Sequence, residues 1–65
     1  MIMMRTTAMD FIRIDIHSAE QIVTEQKAIR DTCEYGSVEY NIHNANINYF
    51  EGKIAAWKAT LELLA

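Results

Sequence analysis

The sequence predicts a mainly α protein: a short N-terminal β-strand, then an antiparallel helical hairpin with a long second helix, paired as a dimer. Three observations predict it. A proline-free run over 38–64 carries Ile47, Phe50, Ile54, Trp57, Leu61 and Leu64 at alternating steps of three and four, which keeps apolar side chains on one helix face. Tyr35-Gly36-Ser37 separates that run from an earlier periodic segment, and short connections between helices imply antiparallel neighbours. The stretch over 11–17 instead alternates at every step, the period of a strand with one buried face.

The elements follow in chain order. Residues 1–10 carry little periodic signal and read as a flexible lead. Over 11–17, Ile12, Ile14 and Ile16 fall on one face and Arg13, Asp15 and His17 on the other, a half-buried strand with β-branched apolar residues. Ser18-Ala19-Glu20-Gln21 has the form of a capping box opening a helix over 19–34, since a serine hydroxyl and a glutamine side chain can satisfy each other's first-turn amides. Ile22, Val23, Ile29 and Cys33 form the stripe of that helix, with Gln26 in its middle. Lys27 and Arg30 sit near its C-terminal end, where cations favour the dipole. Gly36 is the natural left-handed residue after the helix. Ser37 is the next N-cap, with Glu39 in the first turn of a helix over 38–64.

Sixty-five residues bound the chain to a single small domain, 1–65. A domain of this size buries a modest share of its surface and usually needs a disulfide, a metal or a second subunit. Cys33 is the only cysteine, so no disulfide forms within the chain, and a lone thiol suits a reducing compartment. Oligomerisation is the device left. The net charge is -3, and Arg5, Arg13, Lys27, Arg30, Lys53 and Lys58 are scattered among acids. Nucleic-acid binders carry a basic stripe, so DNA, RNA and anionic membrane are disfavoured as partners. No run reaches membrane-spanning length, and residues 1–5 lack the basic-then-apolar order of a secretory signal. The expected location is the cytoplasm, that of a host cell if the chain is phage-encoded.

A helix of about 16 residues spans roughly 24 Å and one of about 27 roughly 40 Å. The second helix is therefore expected to overhang the first from Ile54 onward. Ile54, Trp57, Leu61 and Leu64 would then serve as a self-association surface. Ile14, at the centre of an antiparallel strand pair that sets Arg13 against Asp15 of a second copy, would extend it.

Nothing in the chain has the spacing of a catalytic, cofactor or metal site. There is no phosphate loop, no CxxC and no HExxH. Glu39 and His43 lie one turn apart, but two ligands are too few for a structural zinc. Asn41, Asn44, Asn46 and Asn48 cluster in the first half of the second helix although asparagine is a poor helix-interior residue. With aromatic neighbours they form a recognition patch, in which Tyr40, His43, Asn44, Asn48 and Tyr49 are the candidate contacts for another protein. Gly52, beside Ala55, Ala56 and Ala59, gives the helix a small-residue side suited to a close crossing, within the chain or between subunits.

The expected function is a small non-catalytic interaction module that binds and inhibits a larger host protein. In size and acidity the chain resembles the compact accessory proteins of bacteriophages and mobile elements, such as anti-CRISPR and antirestriction proteins. The alternative rests on element order. A strand followed by two helices, over Phe11 to about Phe50, is similar to the ribbon-helix-helix repressors. That likeness implies Arg13, Asp15 and His17 as readers of the DNA major groove. Asp15, the acidic net charge and the length of the second helix depart from the repressor pattern.

Overall fold

A computed structural model describes the backbone of residues 2–65 and the side chains from Thr7 onward. Two helices form it: α1, Ile2–Thr32, and α2, Val38–Leu64. They pack on each other as an antiparallel hairpin with extents of 51 × 15 × 11 Å.

The connection is built as its residues require. Ser37 has extended backbone angles and its hydroxyl accepts from the amide of Tyr40 at 3.1 Å, satisfying one of the first-turn donors of α2. The amide of Ser37 donates to the carbonyl of Glu34. Gly36, third in that turn, has φ +81°, a value a side chain would strain. At the other end of α2, the Ala65 amide donates to the carbonyl of Leu61. α1 stops at Thr32, two residues short of the expected end. There the Thr32 hydroxyl donates to the carbonyl of Ile29 at 2.6 Å.

The N-terminal half differs from expectation. Residues 11–17 are helical and continuous with the rest of α1, and 2–10 belong to the same helix; Met1 lies outside the described residues. The described residues contain no strand. Ser18 caps nothing, being an exposed residue in mid-helix. The physical reason is that this segment satisfies two periods at once. Ile12 and Ile16 alternate with polar residues, but they also continue a three-four series, Met9, Ile12, Ile16, Ala19, Val23, Gln26, Arg30 and Cys33. A lone strand has no ladder partner, whereas a helix satisfies its own backbone groups and lays this series along α2. The strand required by the ribbon-helix-helix likeness is thereby absent.

The length mismatch disappears for the same reason. At 31 residues α1 spans roughly 46 Å, and α2 at 27 spans roughly 40 Å. The far end of α2 is covered from within the chain. Ile16, Ala19 and Val23 of α1 form the buried core with Ile47 and Ile54 of α2, and Ile12, Phe50, Trp57 and Leu61 pack against it. Ala19, only 3% exposed, is the small residue that lets the helices approach. Glu20 and Lys58 pair across the hairpin at 3.8 Å, an exposed contact contributing at most about 1 kcal/mol.

Candidate interaction surfaces

The seam between the helices changes character along its length. In the half away from the turn it is apolar. In the half next to the turn, the three-four series places Gln26 and Arg30 of α1 against Tyr40, His43 and Asn44 of α2, and all five are half-buried. The Oε1 atom of Gln26 lies 2.7 Å from Nδ1 of His43 and accepts from Nδ2 of Asn46 at 3.4 Å. An amide oxygen only accepts, so His43 carries its proton on Nδ1 in this bond. Arg30 donates through Nη1 to Oδ1 of Asn44 at 3.1 Å and through Nε to Asp31 at 3.1 Å. Its guanidinium lies 5.8 Å from the centroid of Tyr40, whose ring is in turn 5.0 Å from that of Tyr35. No buried side-chain nitrogen or oxygen among the described residues lacks a partner.

The candidate contacts named from the sequence therefore divide. His43 and Asn44 are turned to α1, their polar groups engaged within the chain. Tyr40 is half-buried between Arg30 and Tyr35. Asn48 and Tyr49 are exposed. Lys53 holds its ammonium 5.1 Å from the Tyr49 ring and 5.8 Å from that of Trp57, and Tyr49 meets Phe50 edge-on. Of the residues expected to self-associate, Ile54 is buried, while Trp57, Leu61 and Leu64 are half-buried on the seam side of α2. Ile14 is exposed on the outside of α1, at 58%. The partner that covers the far end of α2 is α1.

Two outer faces were picked out from the sequence only in part, through Ile14 on α1 and through Tyr49 and the small residues Gly52, Ala56 and Ala59 on α2. On α1, Phe11, Ile14, Ile22 and Ile29 fall within one arc of roughly 80°, at about 100° per residue; all are exposed except Ile22, which is half-buried. On α2, Val38, Ile42, Ala45, Tyr49, Gly52, Ala56, Ala59 and Leu63 recur at steps of four and three. All eight are exposed, and none is charged. This second series runs on the side of α2 opposite the seam. Its signal was present in the sequence but lay beneath the stronger inward series.

A shallow groove between the helices is lined by Glu20, Val23, Thr24, Lys27, Glu51, Ile54 and Lys58. Charges of both signs rim it, and it holds no convergent set of titratable groups. No cluster of three His, Cys, Asp or Glu side chains that could hold a metal occurs among the described residues. Glu39 and His43 gain no third ligand, and His43 is bonded to Gln26 instead. No helix of the described residues is long and apolar enough to cross a membrane.

These features define an antiparallel two-helix hairpin with a half-polar seam and apolar residues on the outer faces of both helices. Comparisons with protein-family models, with curated proteins and with solved structures return no match.

Proposed function

We propose that this chain is a small non-catalytic module that works by binding a larger protein and modulating it. One observation carries the reading. Among the described residues the hairpin buries five hydrophobic side chains but leaves eight large ones exposed: Phe11, Ile14, Ile29, Tyr35, Val38, Ile42, Tyr49 and Leu63. Single exposed apolar residues are ordinary, but rows of them mark interaction surfaces. The row on α1 is the type of helix face that lies in an apolar groove of a partner, anchored at one-turn and two-turn spacings. Asp15 and Glu25 stand exposed beside it, and Asp10, paired with Arg13, lies at its edge, so a groove rimmed by lysine or arginine is the complementary surface. Size and net acidity, which the chain shares with phage-borne inhibitors of host proteins, support the modulating role.

The test is affinity capture from the source cell with the tagged chain and with a Phe11→Asp/Ile14→Asp variant, followed by a binding and activity assay on the captured protein once purified. The proposal expects one protein enriched by the native chain, lost with the variant, and altered in activity when bound. Identical capture by both chains would remove α1 as the surface. A purified pair that binds with no change in the target's activity would remove the modulating role.

A further inference from the structure

We propose that a second copy of this chain docks on the outer face of α2, antiparallel and about a two-fold axis between Phe50 and Glu51. The inference goes beyond binding of a larger protein, which uses α1, and rests on different residues.

The first support is the order of residue sizes in the outer series. Laid antiparallel on its own copy with that centre, the series pairs Val38 with Leu63, Ile42 with Ala59, Ala45 with Ala56 and Tyr49 with Gly52, each pair occurring twice. All eight positions are used and none is left over. A two-fold interface must be self-complementary, and here the large Ile42 and Tyr49 meet small residues. Tyr49 stands opposite the one position without a side chain. The mid-helix Gly52 has no function inside the chain, since a Cβ built there meets nothing within 4 Å. It nonetheless weakens α2 relative to alanine. A close approach by the second copy gives that glycine a role.

The flanks agree. At the positions beside the series, the same axis sets Glu39 near Thr60, Asn46 near Lys53, Asn41 near Glu62 and Asn48 near Ala55 of the second copy. No like charges oppose one another, which would otherwise disfavour the pairing. The exposed area leaves room for such an interface: this chain exposes 4961 Å², about 700 Å² more than a compact monomer of 7.5 kDa does by size scaling, an excess spread along an elongated hairpin.

The test uses the purified full chain. Sedimentation equilibrium at high micromolar concentration should give twice the 7.5 kDa chain mass. Gly52→Glu should weaken association by a factor of order a hundred, because it places a carboxylate in the apolar interface. It should keep or raise helix content, since glutamate is the better helix former. Orientation is read by oxidation in a Cys33→Ser background. Chains carrying Ala45→Cys and Ala56→Cys should cross-link when mixed. Ala45→Cys alone should not, because its two copies stand ~16 Å apart along the axis and a disulfide needs close Cα atoms. A monomer at high micromolar concentration overturns the proposal. So does a dimer untouched by Gly52→Glu, or one in which Ala45→Cys cross-links to itself. Capture of a larger protein through α1 is unaffected by either result, so the two proposals fail separately.

Discussion

Replacing Ile16 and Ile14 with alanine, one at a time, separates a helical N-terminal half from a strand. On a strand the two side chains share a face and cost the same to truncate. On α1 they do not: Ile16 is 8% exposed and Ile14 is 58% exposed. Isoleucine to alanine removes three carbons, worth about 0.8 kcal/mol each when fully buried. For Ile16 nearly all of that is lost, offset by roughly 0.4 kcal/mol from the better helix propensity of alanine. The net destabilisation is about 2 kcal/mol, more if a cavity persists. For Ile14 less than half the burial is at stake, and the same offset leaves about 0.5 kcal/mol or less. The assay is urea unfolding by far-UV circular dichroism and by Trp57 fluorescence, at one matched protein concentration. With a slope of about 1 kcal/mol per molar, usual for a small domain, the midpoint should fall by about 2 M for Ile16→Ala and by at most about 0.5 M for Ile14→Ala. Equal shifts would refute the placement of 11–17 on a helix.

The polar half of the seam makes a different prediction. Gln26→Ala strips the acceptor shared by His43 and Asn46 and should cost about 1–2 kcal/mol in thermal or urea unfolding, whereas Gln26→Leu combined with His43→Leu should recover most of it, because the half-buried imidazole is no longer left unpaired and the exposed Asn46 turns to water. Loss of stability in the double variant equal to the sum of the singles would argue against a coupled pair. Ser37→Ala removes the hydroxyl that accepts from Tyr40 and should lower stability by about 1 kcal/mol, while Ser37→Asp should hold it. Gly36→Ala should also destabilise, by about 1 kcal/mol, through its positive φ. Gly52→Ala should do the opposite at concentrations where the chain is monomeric, raising the unfolding midpoint by an amount equivalent to about 1 kcal/mol.

A hairpin whose seam is apolar at one end and hydrogen-bonded at the other has a built-in register. Sliding α2 by one turn would part Gln26 from His43 and Arg30 from Asn44. Polar groups left unsatisfied cost about 1–3 kcal/mol each when buried, and less at these half-buried positions. Polar residues at seam positions are an attested device for fixing helix pairing at some cost in stability. The asparagine-rich stretch of α2 thus has a structural use, and the outer rows on both helices are what remain for partners.

The sequence by itself determined the parts whose causes are local. The bounds of α2, Ser37 as its cap, Gly36 in the turn and the antiparallel connection each follow from neighbouring residues. The inward series from Ile47 to Leu64 is legible because one period alone explains it. Two things were decided only by the tertiary structure. Residues 11–17 alternate as a strand does, yet Ile12 and Ile16 also fit a helical series, and the choice fell to helix because α2 offers a long apolar face to cover and no other strand among the described residues offers a ladder. The roles of His43 and Asn44 were likewise invisible, since their partners Gln26 and Arg30 lie 17 and 14 residues away. Local pattern shows which face a side chain shares with its neighbours. What stands opposite that face depends on how the chain folds back.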